Sequence, residues 1–167
     1  MTMTRSTSFL SDHPHGIAGL LRRLIAGMDR IPQDAIALAA RVFAAAIFWQ
    51  SGQTKLEGWR VSDSAIELFR EEYRLPLLDP VLAAHLATLG EHLFPLLLVF
   101  GLASRFAALA LLGMTAVIQI FVYPDAWPTH GIWAVALLVV VARGPGRLSA
   151  DHLLARRMPA LRPLTRE

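Results

Sequence analysis

Glu91, His92 and Arg41 are ionisable residues lying in stretches otherwise apolar enough to cross a bilayer. The first two stand in PVLAAHLATLGEHLFPLLLVFGLASR (80–105) and the third in IALAARVFAAAIFWQSG (36–52). An ionisable group at mid-depth costs at least about 2.5 kcal/mol on the gentlest scales, so each calls for a partner or a cavity. The pairing that spacing suggests is Arg41 with Glu91, because a long guanidinium can bridge about a helical turn of mismatch in depth. Such a pair could lock two helices together, or it could let Glu91 accept and deliver a proton while Arg41 tunes its acidity. Glu91, His92 and Arg41 are the catalytic candidates.

Further polar side chains gather toward the same end of the spans as Lys55: His85, Gln119, Tyr123 and His130, with Trp49 and Trp133 nearby. These seven are the ligand-binding candidates for one converging polar cavity. His85 and His92 lie about 20° apart around one helix and about 10 Å apart along it, so they cannot supply the two opposed axial ligands of one haem. A metal held by His85, His130 and Glu91 is the alternative. Neither haem nor metal is favoured, and no metal ligands are assigned. No Ser/His/Asp order, phosphate-binding loop, Gly-rich dinucleotide turn or acidic calcium loop occurs. With no cysteine, the chain alone has no thiolate, dithiol or iron–sulfur chemistry.

The elements that must position these residues follow from composition. In 167 residues the hydrophobic share is 54%, the charged share 17% and the mean hydropathy +0.46, too little polar surface for a soluble domain of this size. Three apolar stretches of about the 20 residues that a bilayer demands run from Asp34 to Gln53, from Pro80 to Gly101 and from Phe106 to Tyr123, and a shorter fourth, from His130 to Ala142, is expected to begin in the turn before it or to leave its outer end beneath a lid. The fold class is an all-α membrane four-helix bundle. A basic amphipathic helix with Leu20, Leu21, Leu24, Ile25 and Met28 on one stripe precedes it as a surface segment. Broken by Arg22 and Arg23, that segment does not read as a secretory signal. Ser64 with Glu67 forms a capping box for a short outer-side helix between spans one and two, whose Ile66, Phe69 and Tyr73 share a side. That segment suits a lid over the bundle or a plain connection. The division is 1–33, surface segment; 34–143, membrane domain; 144–167, basic cytoplasmic tail.

The formal charge is +3. Its arginines collect at segment ends rather than interleaving with aromatics, which argues for topology and against nucleic acid. Arg5, Arg22, Arg23, Arg30, Arg105, Arg143, Arg147, Arg156, Arg157, Arg162 and Arg166 fall on one side, against Lys55, Arg60, Arg70 and Arg74 on the other. The positive-inside bias places both termini in the cytoplasm.

Several runs together resemble one family. FWQSGQTKLEGW (48–59), GEHLFPLLLVFGLASRFAALALLGM (90–114), the FVYPDAW turn and HGIWA with RGPGRLSAD near the end are similar to the DoxX family of small four-helix membrane proteins. The matching positions are Phe48, Gly52, Lys55, Glu91, Pro95, Gly101, Arg105, His130, Trp133, Gly144, Pro145, Gly146, Ser149 and Asp151. The resemblance implies a bacterial cytoplasmic (inner) membrane protein associated with quinone-coupled oxidation and membrane oxidoreductase assemblies. Three readings stand open. One is a quinone-linked redox subunit, in which Lys55, His85 or His130 bonds a carbonyl oxygen, Glu91 relays protons, and Trp49, Tyr123 and Trp133 flank the ring. The second is a non-catalytic anchor or assembly partner for another enzyme, and the third a small-solute carrier. The partners implied are the lipid bilayer, a protein that supplies electrons or the catalytic chemistry, and a second copy of the chain in a homo-oligomer. Whether the chain is itself an enzyme stays open between these readings.

Overall fold

The computed structural model describes residues 17–157, which divide into two units, 17–32 and 33–157. Arg5, Arg162 and Arg166, used in the charge count, lie outside the described residues, as do the first part of the N-terminal segment and the end of the tail. The first unit contains helix α1 (Ile17–Met28), on which Leu20, Leu21, Leu24, Ile25 and Met28 are all exposed.

In the second unit, α2 (Gln33–Gln53), α4 (Pro80–Phe100), α5 (Ser104–Phe121) and α6 (Trp127–Arg143, led in by a 3-10 turn at Pro124–Ala126) form the bundle. All four spans are long and apolar enough to cross a membrane. Each helix packs on two others, in the cyclic order α2, α4, α5, α6 and back to α2. The core is built of Ala44, Ala45, Phe48, Leu98, Ala107, Ala108, Leu111, Leu137 and Val140. Alanines at these crossings let backbones approach closely, which is how helices gain packing where lipid removes the hydrophobic drive between them. Leu86, Leu89, Leu93, Leu96, Val99 and Phe100 of α4 are exposed, as a lipid-facing stripe requires.

The helix ends follow local chemistry. Asp79 accepts hydrogen bonds from the N–H groups of Val81 and Leu82, with Pro80 at the first helical position. Gly101 closes α4 in the left-handed conformation, φ +69°. The fourth helix begins earlier than the expected His130, because Pro124 and Pro128 both fit a helical first turn.

Between α2 and α4 the chain makes a two-stranded antiparallel hairpin, β1 (Leu56–Glu57) with β2 (Arg60–Val61), then α3 (Asp63–Leu68) and a π turn (Phe69–Tyr73). The expected capping box at Ser64 and Glu67 is replaced by Ser62. Its hydroxyl accepts from Ala65 N at 3.1 Å, while Glu67 pairs with Arg70 on the surface. The expected apolar side does exist, since Phe69 packs with Ala83 and Ala84 of α4, flanked by Ile66 and Tyr73. The segment therefore lies along the first turns of α4.

Candidate functional site

The polar centre is built where α2 ends. Lys55 lies four residues past Ser51, so a helical turn at the end of α2 brings its ammonium back over that residue. Lys55 Nζ donates to Ser51 O at 3.2 Å, Ser51 Oγ at 3.0 Å and Glu91 Oε2 at 2.7 Å, which uses all three of its protons. Ser51 Oγ in turn donates to Glu91 Oε1 at 3.2 Å. Both charged residues are buried, Lys55 at 3% exposure and Glu91 at 2%. The pair is thus neutral overall and hydrogen-bonded within itself, which offsets the cost of burying two charges.

Helix α4 meets α2 closely here. A Cβ on Gly52 would come within 2.7 Å of His92 Cε1 and 3.1 Å of Glu91 Cβ, so the crossing requires glycine. His92 extends the cluster. Its Nδ1–H donates to Thr88 O at 2.6 Å, which leaves Nε2 to accept from Gln53 Nε2 at 2.9 Å, and Trp49 meets the ring edge-on at 5.0 Å. The carbonyl can only accept, so Nδ1 is the donor in that contact.

Glu91 also stands on the wall of an apolar groove of about 460 Å³ between α4, α5 and the π turn, lined by Phe69, Tyr73, Ala87, Phe94, Met114 and Ile118 among others. It is the one carboxylate there. Tyr73, the other ionisable lining residue, has its phenol pushed up by burial and then by the nearby negative charges of Glu91 and Glu72. Tyr123 donates a short hydrogen bond to Glu72 and stacks edge-on with Tyr73, tying the π turn to the end of α5. That bond raises the Tyr123 phenol to about 12.

The remaining candidates separate. His130 is 6% exposed; its Nδ1–H donates to Gln119 Oε1 at 2.7 Å, Gln119 Nε2 donates to Pro124 O at 2.6 Å, and Trp133 packs on the imidazole at 5.0 Å and on Phe48 at 5.7 Å. This is a second polar node, joining α5 to α6. His85 is exposed, bonds its own helix at Val81 O, and borders a groove under the hairpin. No group of three or more His, Cys, Asp or Glu residues suited to a metal occurs among the described residues.

The expected Arg41–Glu91 pair is not formed. Arg41, 1% exposed, donates from Nη2 to Leu148 O at 2.8 Å and packs against Gly101 and Ser149. The reason is register: Gly52 faces Glu91 and His92 while Arg41 faces Gly101. Ten residues of α4, from Glu91 to Gly101, thus separate the two levels by about 15 Å along the bundle. Glu91 is level with the last turn of α2 and takes Lys55 instead. Sequence reasoning also passed over Ser51, Gln53 and the lining residues Phe69, Phe94 and Met114. The i, i+4 spacing of Ser51 and Lys55 beside a glycine was the available signal.

The DoxX family matches residues 36–124, more than half of the chain, from the first turn of α2 through the end of α5. The chain belongs to the DoxX family. An uncharacterized protein of Haemophilus influenzae is 30% identical over 142 residues, covering 79% of this chain and 91% of the relative. No solved structure matches the chain. As a DoxX protein with four apolar helices it is a multi-pass membrane protein whose spans contact lipid. The DoxX match contains Ser51, Lys55, Glu91, His92 and the groove, and leaves His130, Trp133 and the tail outside it.

Proposed function

We propose that this chain is a quinone-linked subunit of a membrane redox system and that its ligand lies in the groove beside Glu91. The observation that carries the reading is a buried Lys55–Glu91 pair on the wall of an otherwise apolar cavity of about 460 Å³. Ligand pockets are typically about 300–1,000 Å³, mostly apolar, with a few placed polar groups, and this groove has those features. Phe69, Tyr73 and Phe94 would hold a flat ring, and the open flank between α4 and α5 would admit an isoprenoid tail from the bilayer.

A bound quinone would supply a two-electron acceptor whose reduction consumes two protons, the electrons coming from a reduced partner protein. The chain's own contribution is proton handling. Lys55 donates to Glu91 Oε2 at 2.7 Å while Oε1 has only the longer Ser51 bond, and in this reading the Glu91 carboxyl passes protons to the ligand. Both termini on the cytoplasmic side of a bacterial inner membrane, with α1 lying on that surface, fits the arginine distribution.

A second reading, a non-catalytic anchor for another enzyme, draws on a different observation. His92, Gln119, Tyr123 and His130 each spend a hydrogen bond on another segment of the chain, as packing contacts do.

The two readings part on one experiment. A Cβ on Gly113, which lines the groove, meets nothing within 4 Å, so a side chain can start there, and Gly113→Phe is expected to obstruct the cavity. Gently purified protein is expected to retain membrane quinone and Gly113→Phe to lose it. A folded wild-type protein free of quinone that brings down a second polypeptide would leave the anchor reading.

A further inference from the structure

At the opposite end of the bundle from the groove, the tail folds back to make a second pocket of about 440 Å³. Three arginines reach it from separate elements: Arg105 from the first turn of α5, Arg143 from the last turn of α6 and Arg147 from the loop before α7 (Ala150–Arg157). Among the described residues, none of these three guanidinium groups has a hydrogen-bond or ion-pair partner.

Two carboxylates share the wall, and each accepts backbone N–H groups rather than a guanidinium. Asp34 Oδ1 accepts from Arg147 N at 2.7 Å, and Asp151 accepts from Ala103 N at 2.7 Å and Ser104 N at 2.9 Å, capping α5. Gly144 and Gly146 both have positive φ, +83° and +79°, and form the turn that lays the tail here. A Cβ on Gly144 would stand 3.3 Å from Arg105 Nη2, so the guanidinium rests against bare backbone.

We infer that this pocket binds a phosphate group. The three exposed guanidinium groups have no side-chain partner and outnumber the two carboxylates of the same wall, and the planar fork matches phosphate oxygens in bidentate fashion. The pocket lies where α2 and α5 begin and α6 ends, the level at which basic pockets on membrane proteins meet lipid headgroups. The phosphate is therefore that of an anionic phospholipid or free inorganic phosphate, and two arms of one experiment separate them.

In the first arm, full-length protein in phosphatidylcholine nanodiscs doped with phosphatidylglycerol is examined by native mass spectrometry for retained phosphatidylglycerol. In the second, inorganic phosphate is titrated into delipidated, detergent-solubilised protein at constant ionic strength while thermal unfolding is followed. Each is repeated on Arg105→Gln/Arg143→Gln/Arg147→Gln, on Arg143→Gln alone in case the triple variant does not fold, and on Arg156→Gln/Arg157→Gln, which changes charge on α7 outside the pocket. Binding in the wild type that falls about tenfold or more in the pocket variants, the scale of one lost charge-assisted hydrogen bond, and holds in the α7 variant is the expected result. Retention in the first arm alone assigns a lipid headgroup, and stabilisation in the second alone assigns free phosphate. Binding of neither probe, or equal loss in the pocket and α7 variants, overturns the inference.

Discussion

Replacing Lys55 with alanine removes the cation that satisfies Glu91 Oε2 and leaves a carboxylate at 2% exposure with only the Ser51 hydroxyl, 3.2 Å away. Breaking a buried pair from one side costs about 3–5 kcal/mol, because the surviving charge is stranded. Glu91→Leu strands the ammonium in the same way, with only the Ser51 oxygens to receive it. If the two changes were independent, the variant carrying Glu91→Leu with Lys55→Met, the single Lys55→Met being the matched control, would lose about 6–10 kcal/mol, whereas an apolar pair of similar volume is often neutral or stabilising. The prediction is therefore two strongly destabilised single variants and a double variant close to wild type. Denaturant unfolding of the purified protein, followed by the fluorescence of its four tryptophans, measures all three. Single variants costing under about 1 kcal/mol, the range of a solvent-exposed pair, would refute the claim that this ion pair is dry.

Other consequences are sharper in place than in size. Gly52→Ala should destabilise by about 1–3 kcal/mol through overpacking against His92 and Glu91, a loss visible in the same unfolding assay. Gly101→Ala should destabilise as well, since its φ of +69° disfavours a side chain and the added methyl meets the Arg41 guanidinium. The Tyr123–Glu72 contact is intact below the ordinary tyrosine value of about 10 and should be lost as pH rises through the folded value of about 12. In Tyr73→Phe, where Tyr123 is the sole tyrosine, the phenolate absorbance reads that midpoint directly, and Glu72→Gln should lower it.

The four spans were legible because a bilayer demands length and continuous apolarity, and their ends were marked by Gly101, the Gly144-Pro145-Gly146 turn and Ser149, whose hydroxyl accepts from His152 N. Glu91 was legible as a residue needing a partner, but its partner was not. Depth estimated from sequence treats antiparallel spans as level at their ends, whereas α4 runs on beyond the last turn of α2 and places Glu91 beside Ser51 and Lys55 rather than Arg41. The hairpin over Gly58, φ +63°, and the covering of the early α4 turns by Phe69 exist because of that overhang. A single cavity collecting every polar candidate was the natural expectation from their number. The helix faces instead divide them into the Lys55–Glu91 cluster, the His130 node and an isolated His85.

Photo-crosslinking with an azido-quinone, followed by peptide mapping of the purified protein, tests the central claim most directly. Label on α4 between Ala83 and Phe94 and on α5 between Gly113 and Ile118, competed by unlabelled quinone and lost in Gly113→Phe, is the predicted result. Label confined to the His130 node, or uncompeted label spread over the lipid-facing residues, would contradict it.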